Sequence, residues 1–386
     1  MNRLMKTEFK QSENGRSNPW LDLIAKMGEQ LSTCDQQSDG TDAFVSDNYV
    51  KLREHRFFAA LVPAEFGGGD VTFAEMSDIL RVMAHYSSST ALAHSMHQHL
   101  VAANVFKHKK GQDVSGFLQK VADQQPVLIS TGARDWLESN GTMTPTEGGY
   151  LFSGVKQFAS QSADGGIAVT SAPCEDPSGD WHVLHFAVPL VSEGVSLIEN
   201  WEALGMRGTG SHAIKFENVF IPDKAIALSR PRGAYHGVWN VVLTVAMPLI
   251  MSVYVGIAQK AAQVALDHVK RFAAPKPHQV TAVGALNNEL STAEMALNDM
   301  LRINNNFDFT PTDACGHLIL TRKSIVADAV IGVVNQAMDI VGGQAFYRSH
   351  PLEKLLRDVQ GARYHPIYKA DQHLFSGNYL LRKSNW

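Results

Sequence analysis

Cysteine is scarce in this chain, and the three present, Cys34, Cys174 and Cys315, lie far apart without CxxC spacing. That argues against a disulfide framework and a zinc knuckle, and it fits a reducing cytoplasm. An excess of one charge is lacking too. The net charge is −4, with lysine and arginine scattered, so there is no basic stripe of the kind that nucleic acid requires. Neither standard nucleotide fingerprint occurs: no GxGxxG follows a strand, and there is no GxxxxGK[ST]. The opening MNRLMKTEFKQSENGRSNPW has no apolar core and reads as a loose lead-in rather than a signal peptide. The most hydrophobic stretch is VVLTVAMPLIMSVYVGIA, from Val241 to Ala258. Its length would span a bilayer, but it carries Thr244, Pro248 and Ser252 and continues into an amphipathic segment. A buried helix of a large bundle is therefore expected, with no membrane span.

What the chain does have is 386 residues at 45% hydrophobic and 19% charged, enough for two or three domains around a continuous core and a sizeable pocket. Three textures follow one another. Residues 1–125 are helical after the lead-in of residues 1–18, with DNYVKLREHRFFAALV in helical spacing and a turn at Pro63 to Gly69 before the period resumes. Residues 126–232 are strand-like: VLIST, YLFSGVKQFAS, GIAVTSA, WHVLHFAVPL and AIKFENVFI are separated by turns such as ADGG and EDPSGD. Residues 233–386 are helical again, in long pieces. Helix, then sheet, then bundle gives an α+β fold class.

Three motifs draw attention by residue type. In LGMRGTGSH, Gly208 and Gly210 flank Thr209 beside Arg207; tight turns next to a guanidinium suit a phosphate or carboxylate, and equally suit a hairpin loop. In AHSMHQH, His94 and His97 share a helical face. No third ligand is apparent on that face, so no metal site is expected. LRDVQGARYH, followed by Pro366, places His365 near the end of the chain.

The order of LVPAEFGGGDVTFAEM, STGARD, SGVKQFASQSAD, WEALGMRGTGSHAIKFENVFIPD, GIAQKAAQVALDHVKR and IVGGQAFYRSHPLEKLLRD resembles that of the acyl-CoA dehydrogenase superfamily over roughly residues 20 to 386. The resemblance implies an N-terminal helical domain, a middle β-barrel-like domain and a C-terminal four-helix bundle. It also implies FAD in the cleft between them, with FMN left open, and a homo-oligomer, dimer or tetramer. Ser130 and Thr131 stand where the family touches the flavin ring. Phe158 and Ser160 match the aromatic that covers that ring and the hydroxyl near its N5, and Gly342 and Gly343 match a pair that lets a neighbouring subunit's cofactor approach.

Departures from the family are as informative as matches. Typical members place a glutamate base nine residues after the arginine of the RD pair, and counting from Arg357 reaches Pro366. In another branch the base lies about ten residues before the glycine of the GIAQ segment; counting back from Gly256 reaches Ala246. Neither takes a proton. The flavin loop is shortened to TGARD, with Arg134 positioned either to meet an anionic group of the substrate or to point to solvent. His365 is the group nearest the vacant base position. His97 is expected to face substrate.

The leading expectation is an FAD-dependent oxidoreductase that oxidises an acyl-CoA or similar thioester, with His365 and Ser160 catalytic, flavin N5 as hydride acceptor and an electron-transfer partner. The alternative is a flavin-dependent monooxygenase of the same fold, in which reduced flavin and O2 form a C4a adduct. Its substrate is then a small molecule, such as a CoA ester tailored in secondary metabolism. A third reading is a degenerate flavin-binding paralogue without turnover.

Overall fold

The computed structural model describes residues 18–132 and 136–381. Five helices come first: α1 Pro19–Thr41, α2 Ser46–Glu54, α3 Phe73–Tyr86, α4 Ser88–Lys109 and α5 Ser115–Gln124. Their ends follow from local chemistry. The Asn18 side chain caps α1 by accepting from Trp20 N at 2.9 Å, with Pro19 as the first helical residue. At α3, Thr72 and Glu75 form a reciprocal capping box. Helix α4 is buried along most of its length, including His94, His97 and His99.

Eight strands follow: β1 Leu128–Ser130, β2 Thr142–Thr146, β3 Gly149–Lys156, β4 Ile167–Glu175, β5 Trp181–Pro189, β6 Val195–Ile198, β7 Ala213–Pro222 and β8 Leu228–Pro231. They make two four-stranded sheets, ordered β1-β4-β5-β8 and β2-β3-β7-β6, in which only β1 and β4 pair in parallel. Phe152 packs on Phe216 of its own sheet and on Phe186 of the other, with ring centroids 4.8 and 5.0 Å away. That aromatic cluster joins the two sheet faces.

The last part is helical: α6 Val238–Lys270, α7 Pro277–Asn304, α8 Asp313–Val341, α9 Pro351–Val359 and α10 Lys369–Leu380. The apolar run of α6 lies inside the protein, between α3 and α4 on one side and α7 and α8 on the other. Pro248 sits within it and cannot donate to the Thr244 carbonyl. Asn304 Nδ2 donates to that oxygen instead, at 3.1 Å, so the helix continues without an orphaned acceptor. Helix α8 is also long and apolar enough by composition to cross a bilayer, though only half of its most apolar window is buried.

Candidate active site

A cavity of about 660 Å³ opens where α4, α6, the β1-β4-β5-β8 sheet, the loop after β6 and the segment after α9 meet. Its lining is mostly apolar, with Met96, Leu100, Val242, Met247 and Ile250 from α4 and α6. The polar groups are few. Ser130 and Thr131 arrive at the end of β1, where the short strand leaves the sheet, and Thr131 is held by its 2.8 Å bond to Thr170.

The YLFSGVKQFAS segment does not stay a strand to its end. Strand β3 stops at Lys156, and Phe158 takes a left-handed backbone, φ 57°, which non-glycine residues adopt rarely and usually for a local reason. The turn presents the Phe158 ring to the cavity with 44% of the residue exposed, edge-on to Trp201 at 6.4 Å. Ser160 follows on the same turn. Ser211 Oγ donates to Ser160 Oγ at 2.9 Å, and Thr209 and Ser211 hydroxyls lie 2.7 Å apart. A chain Thr209 to Ser211 to Ser160 leaves the Ser160 proton free to donate into the cavity.

The glycine-rich loop serves this chain of hydroxyls. Gly205 lies so close to α9 that a Cβ there would come within 2.4 Å of the Arg357 carbonyl. Met206 has φ 55°, and its N–H donates to the buried Asp358 Oδ1 at 2.6 Å. Asp358 also accepts from Ser88 and lies 2.5 Å from Lys354 Nζ, which reaches Asp35 at 2.8 Å. Burial disfavours the Lys354 charge, but Asp35 and Asp358 outweigh it and hold the ammonium above the ordinary lysine range. Arg207, the guanidinium beside the glycines, bonds to the Ala203 and Asp39 carbonyls. It braces the loop, so the phosphate or carboxylate reading of LGMRGTGSH gives way to a structural one.

His365 lines the cavity, its Nε2 hydrogen-bonded to Tyr254 Oη of α6 at 2.6 Å. Burial, aided by Lys323 and His99, pushes its pKa down to about 3. Burial likewise holds the Tyr254 phenol well above its usual value, so the pair is neutral across the physiological range. Pro366 and Ala246, the two positions where the resemblance would place a carboxylate, both face the same cavity. Glu202 is the one carboxylate among its described lining residues, and it is exposed on the loop after β6.

His97 does not face the cavity, contrary to expectation. It is fully buried, with Nε2 2.8 Å from the Phe58 carbonyl and Nδ1 accepting from Leu128 N at 3.2 Å. Both ring nitrogens tie α4 to backbone of the helical and β regions, leaving none for a ligand. His99, two residues on and so on another face of the helix, lines the cavity instead. His94 stacks on His97 and bonds to Gln98, and no metal-binding cluster occurs among the described residues. Gly342 and Gly343 lie at the C-terminal end of α8, outside this cavity and with open space around them. Arg134 lies outside the described residues. Sequence reasoning missed His99, Tyr254, His185 and the aromatic wall of Trp136, Trp201 and Trp239. Only His99 left a trace, in the AHSMHQH run.

The sequence profile of the acyl-CoA dehydrogenase C-terminal domain matches residues 249–369. The putative acyl-CoA dehydrogenase YdbM of Bacillus subtilis is 24% identical over 375 residues, covering 92% of this chain and 94% of its own. L-evernosamine nitrososynthase of a Micromonospora species is 25% identical over 371 residues, covering 90% and 86%. Among solved structures, KijD3 in complex with FMN and a dTDP-linked amino sugar superposes with a TM-score of 0.85 at 25% identity, over 95% of this chain and 94% of that one. The order of helices, sheets and bundle, the cavity between them and these likenesses agree: the chain has the acyl-CoA dehydrogenase-like fold, and its residues 249–369 match that family's C-terminal domain.

Proposed function

We propose that this protein is a flavin-dependent monooxygenase that transfers oxygen to an electron-rich atom, such as an amine nitrogen, of a small molecule. One observation carries the reading. Both positions at which a thioester dehydrogenase of this fold would hold its carboxylate base are at the cavity wall, and they are Pro366 and Ala246. The histidine beside them is a weak base, because burial holds its pKa near 3. Proton abstraction next to a thioester carbonyl therefore lacks its base at both expected positions, and the one carboxylate of the described lining, Glu202, is exposed on the loop after β6, whereas oxygen transfer needs no such base. The likenesses to a nitrososynthase and to KijD3 with its amino sugar support the same choice.

The donor set fits a flavin: an aromatic face at Phe158, hydroxyls at Ser130, Thr131 and Ser160, and an apolar surround. When bound, the flavin would supply two electrons to O2 and leave one oxygen atom in the substrate and the other in water. Ser160, which accepts from Ser211, would offer its own hydroxyl proton to a bound flavin. Tyr254 and His365 hold a neutral hydrogen-bonded pair that can pass a proton without placing a charge in the cavity. The apolar walls from α4 and α6 keep water away from the reacting atoms. The choice between FAD and FMN is read by mass spectrometry of the flavin released from the purified protein.

The same reading includes a homo-oligomer. Phe346 and Tyr347 are 86% and 69% exposed beside Gly342 and Gly343, which suits a face covered by a second copy. Light scattering should give a mass of two or four chains. For the reaction, anaerobic mixing of the flavin-loaded protein with a panel of acyl-CoA esters should leave the oxidised flavin unbleached. Bleaching by a thioester would overturn the proposal in favour of dehydrogenation.

A further inference from the structure

The cavity has a second polar locus, on β5 and β8, that the mechanism above does not use. His185 lines the cavity near Trp136 and Trp239, whose rings stack with centroids 4.4 Å apart, and its own ring stands edge-on to Trp239 at 6.1 Å. Behind it is Arg230, 1% exposed. The guanidinium bonds the Leu137 carbonyl at 2.7 Å and the Trp136 carbonyl at 3.1 Å, and lies 5.1 Å from the centre of the Trp239 ring. Its Nε donates to His185 Nε2 at 3.0 Å.

That last contact determines the histidine's proton. A guanidinium has donors and no acceptor, so Nε2 accepts, and the ring's single proton resides on Nδ1. The imidazole is held neutral both by its burial and by the cation beside it. Among the described residues none accepts from Nδ1, which is therefore the polar atom this ring has left for the cavity. The Nε1–H groups of Trp136 and Trp239, in the same wall, also have no acceptor among the described residues. Those two nitrogens are themselves buried, so this end of the cavity combines flat aromatic surface with one donor of fixed identity, the Nδ1–H of His185.

We propose that His185, locked as the Nδ1–H tautomer by Arg230, is a specificity-determining residue that selects substrates presenting a planar ring with an in-plane hydrogen-bond acceptor, such as a ring nitrogen or carbonyl oxygen. The proposal rests on the monooxygenase reading only in that it names the substrate class of that cavity. Arg230 is then a positioning residue, acting through the tautomer it imposes and the tryptophans it braces.

Two measurements test it, and both can be read on protein without turnover. The first is nitrogen-15 NMR of histidine-labelled protein, with the His185 signals assigned by their loss in His185→Gln. The wild type should show protonated Nδ1 and unprotonated Nε2, and Arg230→Met should shift His185 toward the opposite tautomer. An Nε2–H tautomer in the wild type overturns the proposal. The second is binding of quinoline and naphthalene, matched in shape but differing in one acceptor nitrogen, followed by quenching of tryptophan fluorescence. Quinoline should bind roughly tenfold more tightly, the worth of one neutral hydrogen bond. That preference should vanish in His185→Phe and persist in part in His185→Gln, whose amide still donates. Equal affinities in the wild type overturn the proposal. A protein that takes up no flavin yet keeps the quinoline preference would sink the monooxygenase reading and leave the role of His185 standing.

Discussion

His365 and Tyr254 share a 2.6 Å hydrogen bond at the cavity wall, and burial keeps each in its neutral form. Such a pair can relay a proton but cannot drive its removal from carbon. His365→Phe should lower oxygenated product by about 100-fold, with flavin affinity unchanged because the histidine is not among the groups proposed to hold it. Undiminished product formation would remove His365 from the mechanism. The titration also has a sign. With a pKa depressed to about 3, His365 gains a charge only in strong acid, so the dependence of product formation on pH should show no histidine-like step between about pH 5 and 8. A step near the ordinary histidine pKa that disappears in His365→Phe would contradict this assignment. At this scale the sequence was half legible. His365 could be found because it adjoins the empty base position, and Ser160 and Phe158 because KQFAS stood in the expected order. His97 was chosen over His99 because the i, i+3 pairing with His94 drew attention to a face that proved to be core. A sequence gives the spacing of a helix's residues but not which way the helix is rolled.

The loop from Leu204 to Ser211 shows how elements distant in the chain set one side chain. Asp358 of α9 holds the Met206 N–H and Ser88 of α4, while Lys354 ties it to Asp35 of α1. Asp358→Asn should cost about 3 kcal/mol in stability, because it leaves the buried Lys354 with one carboxylate fewer. It should also weaken flavin binding, since Ser160 is reached through Thr209 and Ser211 on that loop. Urea unfolding and flavin titration read the two effects separately. A variant as stable as the wild type would show that Lys354 needs only Asp35. The elements themselves were largely readable. Strand β5 occupies most of WHVLHFAVPL and β7 covers AIKFENVFIP, because alternation of β-branched and aromatic residues is a local signal. YLFSGVKQFAS was not readable to its end. The turn at Phe158 is held by partners elsewhere: Ala159 N donates to the His212 carbonyl, and Gln161 bonds to Thr209, Leu128 and Tyr49. No local pattern announces those partners.

Across the molecule, the order helix, sheet, bundle was legible because texture changes twice along the chain. The burial of α6 followed from an apolar run too often interrupted for a lipid span. The cavity was not legible, because it is made where five segments meet and no one of them encodes it. The histidines folded into the core carry a consequence for the whole protein. Burial lowers the pKa values of His97 and His99 from 6.5 to about 4, and burial with the neighbouring His97 holds His94 well below its ordinary value. The unfolded chain binds protons there that the folded chain refuses, so their contribution is complete above about pH 6.5 and is lost as the pH falls. Between pH 6.5 and 5 the loss is roughly 2 kcal/mol per histidine. The thermal unfolding midpoint should therefore drop by several degrees over that interval, and His97→Gln should flatten the drop. A midpoint that held steady would mean these histidines are not buried as described.

A cavity of this fold with Pro366 and Ala246 at the two base positions should transfer oxygen. The direct measurement is to supply the protein with reduced flavin, admit oxygen-18 gas in the presence of amines and planar heteroaromatics, and weigh the products. One oxygen-18 atom is expected in the product. Product lacking the label, or a double bond formed in a thioester with no oxygen gained, would contradict it.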